Sequence, residues 1–486
     1  MSGSEGHDSA ASGYVVAVDL GATSGRVMLG QVGPGVLSVE AVHRFPNQPV
    51  LTTDGLHWNI LELYRNVLVG LHKAIGQCPE LVSVGIDSWA VDYGLVRGNR
   101  LISSPYHYRD ERNAHGVELV HERVGHDALY EAGGLQFLPF NTLYQLAVDE
   151  ADGLLDESTV MLMIPDLLGF WLTGEMITER TNASTTGLLD IVGGSWNATL
   201  IDKLGFPRAL FRPVVNPGTV IGPLQARVAT EIGSESAVEL VAVGSHDTAS
   251  AVVAVPMTTR KAAYISSGTW SLVGVELDEP VLTAASRDAN FTNEGGVDGR
   301  VRYLRNVMGM WLLSESVRSW ERDGQVIELS ELLAAAAEVD RPVATFDASH
   351  PSLMPAGDMP SRITELCRAS ADPVPETPAE FARSIVESLA VAYATTLDEA
   401  ERLSGNAIDI VHIVGGGSQN ALLCQLTADR AGRTVLAGPV EATAIGNVLV
   451  QGRAAGFVSG SLEDLRATVA ETFAPVRYEP GKGGMP

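Results

Sequence analysis

The stretch VDLGATSGRVMLG, residues 18–30, closes the apolar run YVVAV of residues 14–18 and opens a second apolar run after a turn of small residues. A chain that crosses its core twice here leaves Asp19 at the end of a strand. It turns back on Gly21, Ala22, Thr23, Ser24 and Gly25 before Arg26. Two readings fit these residues. One is a plain β-hairpin, with glycine present because tight turns need φ > 0. The other is a backbone cradle, in which the N–H groups of a turn with little side chain approach a phosphate and the aspartate holds a cation beside it.

The same plan returns further on. Residues 262–276 read AAYISSGTWSLVGVE, again an apolar strand, a Gly/Ser/Thr turn and an apolar strand. Around each hairpin, short β-branched runs alternate with longer helical patterns, which indicates an α/β fold. Strands are expected at 14–20, 26–32 and 36–45. An amphipathic helix is expected from the capping residue Asn59, with Ile60, Leu63, Tyr64, Val67, Leu68, Leu71 and Ile75 on one face. A strand over 82–96 ends at Asp87, turns, and continues past Asp92. In the later half a helix over about 378–403 precedes the strand 409–414, the glycines 415–417 and the strand 434–438. Two halves that open alike point to a duplicated pair of domains, each offering its turn to a shared cleft. The boundary falls near 255–260.

Length and charge narrow the class. At 486 residues the chain exceeds the usual size of one core, so two domains are expected. Its 33 basic against 59 acidic residues leave a formal charge of −26, which disfavours nucleic acid and anionic lipid as partners. The three cysteines, Cys78, Cys367 and Cys424, form neither a metal motif nor a disulfide framework. No apolar stretch approaches the roughly 18–20 residues of a membrane span. A cytoplasmic setting is expected, and the polar, Gly/Ser-rich residues 1–13 are expected to be a disordered lead.

The chemistry concentrates at strand ends. Residues 238–255, VELVAVGSHDTASAVVAV, place Ser245, His246, Asp247 and Thr248 between a buried strand and a helix. A carboxylate there is either a helix cap or part of a ligand site, since ligands of open α/β sheets gather at the carboxyl ends of strands. The Gly268–Thr269 turn offers backbone amides and a hydroxyl. Gly415, Gly416 and Gly417, at the end of an apolar strand, let a flat ligand press against backbone. Neither a G-x-x-x-x-G-K-[ST] loop nor a G-x-G-x-x-G after a strand occurs, so a nucleotide site here is neither of those types.

Taken together, DLGATSGRVMLG, GIDSWAVDY, YRDERN, QFLPFNTLYQL, SHDTASAV, YISSGTWSL, NEGG, LRNVMGMWLL, HIVGGGSQN and GPVEATAIGN resemble the FGGY family of carbohydrate kinases, and within it the kinases of L-rhamnulose. The blocks run in order from residue 14 to about 452. The resemblance implies two duplicated actin/hexokinase-type (ribonuclease H-like) domains with a catalytic cleft between them. The expected N-terminal domain, 14–256, carries the sugar site and first phosphate loop. The expected C-terminal domain, 257–456, carries the nucleotide, and 457–486 is an extension. It implies ATP and Mg²⁺, with Ala22, Thr23, Ser24, Gly25 and Arg26 on the ATP phosphates and Asp19 directed to the metal. Asp247 matches the acceptor of the sugar proton. His246, Thr248, Asn306 and Ala90 match sugar contacts, and Thr269 and Gly416 match nucleotide contacts. Two positions depart from the family pattern: Ala90 stands in place of a glycine, and Ser314 in place of a glutamine. The implied reaction is phosphorylation of the ketose 1-hydroxyl. The alternatives are an FGGY kinase of another ketose, such as L-fuculose or D-xylulose, or an actin-like ATPase without sugar kinase activity.

Overall fold

The computed structural model describes residues 12–481, and the expected lead of residues 1–13 lies outside them save for its last two, of which Gly13 already opens a strand. Contacts divide the chain into two compact units. The first holds the chain up to Pro256 together with Glu294–Arg300 and Ala442–Thr472. The second holds Met257–Asn293, Val301–Glu441 and the chain from Phe473. The C-terminal domain expected at 257–456 and the extension expected from 457 differ from this division by contacts, in which Ala442–Thr472 packs into the first unit with its largely buried helix Ala442–Ala454.

In the first unit the strands Gly13–Leu20 and Ser24–Gly33 form an antiparallel hairpin, and Val36–Pro46 pairs antiparallel with the second of them. Leu81–Ser88 lies parallel on the other side of the first strand, followed by Glu239–Val241, also parallel, and by antiparallel Val220–Pro223. The near-continuous apolar runs suit strands covered on both faces. Alternation along Ser24–Gly33 decides which helix covers which face. The helix Ile60–Gln77 comes so close to Val27 that a Cβ on Gly70 would lie 2.3 Å from it. The helix Ala442–Ala454 covers the opposite face, where a Cβ on Gly30 would lie 2.4 Å from Val448 and one on Gly452 2.6 Å from Val32. The expected face of the first helix is buried at Ile60, Leu63, Val67, Leu71 and Ile75, but Asn59 makes no side-chain cap bond.

Residues 82–96 do not form one interrupted strand. Leu81–Ser88 belongs to the central sheet, whereas Tyr93–Arg97 joins Arg100–Leu101 and Thr159–Met163 in a separate three-stranded sheet. The chain breaks at Val91, whose φ of +67° is unusual for a β-branched residue, with Asp92 N donating to Ala90 O at 2.9 Å. This smaller sheet and helices such as Thr142–Ala151 enclose their own core around Tyr93, Leu146, Met161 and Leu204.

The second unit repeats the order. Ala262–Ser267 and Trp270–Leu277 form the hairpin, Val301–Met308 pairs antiparallel outside it, and Ile410–Val414 and Thr434–Ala437 follow in parallel on the other side. An antiparallel strand, Val476–Tyr478, closes the edge, as Val220–Pro223 does in the first sheet. The long helix Pro378–Ser404 starts with a Thr377/Glu380 capping box and buries Ile385, Leu389 and Tyr393 in the core of this unit.

Candidate active site

Three parallel strands of the first unit end side by side, and each delivers an aspartate. Asp19 and Asp87 are Cα partners. The segment after Glu239–Val241 is tied to the neighbouring strand end by Ser88 N donating to Ser245 O at 2.9 Å, which leads into His246 and Asp247. Asp87 is fully buried and accepts from Asn447 Nδ2 at 2.6 Å, while its Oδ1 has no hydrogen-bond partner. Burial, and then the Asp19 charge, hold its carboxyl well above the usual range, with the Asp247 charge pushing the same way. Asp19 is 3% exposed and its Oδ2 lies 2.8 Å from Arg26 Nε. The arginine expected on a phosphate thus also offsets the charge of the strand-end carboxylate.

The turn after Asp19 is fixed by few bonds. Gly21 N donates to Ser24 O at 2.9 Å, and buried Asn47 donates from Nδ2 to Gly21 O at 2.9 Å and from its backbone N to Thr23 O at 3.0 Å. Thr23 and Ser24 are exposed and Ala22 half-buried, whereas Gly25 is buried where a Cβ would lie 2.4 Å from the Phe45 ring.

Asp247 opens the helix Asp247–Val253 and its carboxylate is 31% exposed. Its Oδ1 accepts from Thr248 Oγ1 at 3.0 Å and faces His246 Nε2 at 3.4 Å. His246 and Thr248 are buried, and Asp247 is the most exposed of this trio. The loop before it hangs on Glu179, a buried carboxylate that accepts from Ser245 N at 3.1 Å and Ser245 Oγ at 2.8 Å, as well as from Thr181 N, Thr181 Oγ1 and Asn182 N. Nothing local in the sequence singled out Glu179, Asn47 or Asn447, each of which has a partner far along the chain in Ser245, Gly21 and Asp87.

Ala90 is half-buried in the turn before Asp92. Asp92 gathers four donors: Trp58 Nε1 at 2.6 Å, Trp89 Nε1 at 3.0 Å, Gln145 Nε2 at 2.9 Å and Tyr108 N at 3.2 Å. Its burial outweighs these bonds and pushes its carboxyl up to about 7. Beside it, burial and the Arg109 charge take His107 down to about 3.

Within the second unit, Gly268 N donates to Trp270 O at 2.8 Å, and the carbonyls of Gly268 and Thr269 accept from Met310 N at 3.0 Å and Trp311 N at 3.3 Å. Thr269 and Asn306 are half-buried, and Ser314 is exposed on the helix Trp311–Arg322. The three glycines expected to face a ligand divide. A Cβ on Gly415 would lie 2.9 Å from Ser267 O and one on Gly417 2.0 Å from Ser267 Oγ, so packing against the neighbouring turn requires both. A Cβ on Gly416 would meet nothing within 4 Å.

The pattern of the FGGY family of carbohydrate kinases matches this chain twice, its N-terminal domain over residues 14–254 and its C-terminal domain over residues 263–455. The chain belongs to the FGGY family of carbohydrate kinases. FGGY relatives include the rhamnulokinase of Pectobacterium carotovorum subsp. carotovorum, 42% identical over 473 residues, covering 96% of this chain and 93% of that protein. The rhamnulokinase of Bacteroides thetaiotaomicron is 38% identical over 467 residues, covering 96% and 95%. Among solved structures, the ligand-bound xylulose kinase from Lactobacillus acidophilus superposes with a TM-score of 0.76 at 15% identity, covering 96% of this chain and 94% of that one. Plasmodium falciparum glycerol kinase with ADP gives 0.74 at 13% identity, with coverage of 96% and 94%. These two show that the fold of this chain is shared with a xylulose kinase and a glycerol kinase.

Proposed function

We propose that this chain phosphorylates L-rhamnulose at its 1-hydroxyl, using ATP and giving L-rhamnulose 1-phosphate and ADP. The observation that carries the reading is the partly exposed Asp247 at a strand end beside Asp19 and Asp87, in a chain about 40% identical to rhamnulokinases over nearly its full length. Phosphoryl transfer has a loose, in-line transition state, so the protein's part is to position groups and stabilise charge. Asp247 orients the sugar O1–H and takes its proton as the O1–Pγ bond forms. The bond from Pγ to the β,γ-bridging oxygen breaks, and its electrons leave with ADP. His246, Thr248, Ala90 and Asn306 are assigned to the sugar, the turn Ala22–Arg26 and Thr269 to the phosphates, and Gly416 to the adenosine.

A Mg²⁺ ion fits the residues present. Asp19 and Asp87 are adjacent hard oxygen donors, and the partnerless Oδ1 of Asp87 is an atom a cation would satisfy. Among the described residues no group of three or more His, Cys, Asp or Glu could hold a metal, and Mg²⁺ is commonly held by one or two carboxylates plus water and substrate phosphates. When bound there it would neutralise phosphate charge.

A cytoplasmic setting belongs to the same reading, supported by three buried free cysteines. Among the described residues no helix is long and apolar enough to cross a membrane.

The test is ADP release with a panel of ketoses. L-Rhamnulose should show a higher kcat/KM than L-fuculose or D-xylulose, because a misplaced hydroxyl leaves buried polar groups unpaired at about 1–3 kcal/mol each. Equal or better turnover of either other ketose would leave a kinase with the wrong substrate assigned. Ala90→Gly, measured alongside, tells whether the extra methyl sets the preference. No stimulation by any ketose would favour the ATPase alternative.

A further inference from the structure

His246 lies between two carboxylates. Its Nε2 faces Asp247 Oδ1 at 3.4 Å, and its Nδ1 faces Glu294 Oε2 at 3.3 Å. Both His246 and Glu294 are buried, with side chains 6% and 5% exposed. An imidazole between two such groups is constrained twice, in the plane of its ring and in which nitrogen looks at which partner. With one carboxylate removed, one of the two contacts that fix which nitrogen faces Asp247 is lost.

The chain makes a detour to supply Glu294. Residues Glu294–Arg300 are a seven-residue excursion into the first unit, and Met257–Asn293 and Val301–Glu441 on either side belong to the second. The excursion has anchors other than the Glu294 side chain. Gly295 N donates to Ser184 Oγ at 2.8 Å, Asp298 takes a paired contact from Arg453 at 2.6 and 2.7 Å, and Arg300 pairs with Glu463 at 2.5 Å. Anchors of this kind would hold the segment in place whichever residue stood at 294. Among the groups the carboxylate meets is the histidine beside the proposed base, at 3.3 Å.

We infer that Glu294 is a positioning residue for phosphoryl transfer: it holds the His246 ring so that Nε2 steadies the Asp247 carboxylate in the orientation that takes the sugar proton. This rests on the assignment of Asp247 as the base. Facing a carboxylate at each nitrogen, the ring donates to both only with both nitrogens protonated, and no covalent bond to Glu294 forms or breaks.

The experiment is steady-state kinetics on the full-length chain for Glu294→Ala, Glu294→Gln, His246→Asn and the His246→Asn/Glu294→Ala double variant, with thermal melts and Asp247→Asn as reference. Loss of the 3.3 Å contact between Glu294 Oε2 and His246 Nδ1 is expected to lower kcat about 10- to 100-fold for Glu294→Ala. Glutamine keeps the length and an acceptor oxygen, so Glu294→Gln should recover part of that loss. KM for ATP and the melting temperature should stay near wild type, which a merely structural role would not allow. In the His246→Asn background Glu294→Ala should cost nothing further, because its effect runs through the ring. A Glu294→Ala kcat within about twofold of wild type, with Asp247→Asn inactive, overturns the inference. So does full multiplication of the two single effects in the double variant. An active Asp247→Asn overturns the assignment of the base itself.

Discussion

Asp19 and Asp87 sit opposite each other on neighbouring parallel strands, and Asp87 keeps one oxygen without a partner while Asn447 donates to the other at 2.6 Å. Two buried carboxylates side by side are costly unless something cationic is shared between them; Arg26 contacts Asp19 at 2.8 Å, and its charge only partly offsets the burial of Asp87. Asp87→Asn should therefore raise the melting temperature at pH 8, since the amide still accepts from Asn447 and can donate toward Asp19. The same change should lower ATP-dependent turnover by about tenfold or more. Melting curves and kinetics on one preparation decide this, and a variant both less stable and fully active would contradict it.

Asp247→Asn should leave ATP binding and the melting temperature nearly unchanged while kcat falls by about 10²–10⁴, the range for loss of a general base. The partial exposure of Asp247 means the fold does not depend on its charge. A variant that keeps more than about a tenth of the wild-type kcat would reduce Asp247 to the first residue of a helix.

Gly416 and Gly417 should separate binding from folding. A Cβ at 416 meets no protein atom within 4 Å, so Gly416→Val should fold normally and bind ADP more weakly than wild type, with sugar affinity retained. A Cβ at 417 would lie 2.0 Å from Ser267 Oγ, so Gly417→Ala should lower the melting temperature instead. Calorimetry with ADP and with ketose, beside melts of both variants, checks the contrast. Equal loss of both ligands in Gly416→Val would remove Gly416 from the nucleotide site.

Asp92 gives a pH dependence of known sign. Its carboxyl titrates at about 7 in the fold, against an ordinary value of 3.8. Between these values the folded chain holds a proton that the unfolded chain releases. The contribution of Asp92 to stability is thus fully present below pH 4 and is lost as pH rises through 7, at no more than about 1.4 kcal/mol per pH unit. Asp92→Asn removes that slope. His107 tilts stability the opposite way, but it is present in both proteins and cancels. Urea unfolding at pH 5 and pH 8 should show wild type losing ground to Asp92→Asn as pH rises. A constant difference between the two would rule this out.

The sheet cores were legible because the runs at 14–20, 26–32, 36–45 and 262–276 are continuous and apolar, and burial on both faces demands that pattern. The strand-end placement of Asp19 and Asp247 was legible because a charge at the end of such a run has few places to go. What failed was non-local. The break at Val91 depends on Asp92 being drawn to two tryptophans, one of them 34 residues earlier. Glu294 and Asn447 are single polar residues whose partners lie in distant segments, so no local period marks them. Of the three consecutive glycines, two answer to Ser267 rather than to a ligand, a distinction that only the neighbouring strand reveals.

The helix Ala442–Ala454 also sets a timetable for synthesis. It covers the sheet face that carries Gly30, Val32 and Gly85, and its Gln451 accepts from Ser83 Oγ across 368 residues of chain. At about 5–20 residues per second, a ribosome needs roughly 20 to 70 seconds to make that intervening length. Throughout that interval the emerging sheet has one face without its cover. A nascent chain halted at the end of the first half therefore presents an exposed apolar surface, which stays uncovered until residues 442–454 arrive.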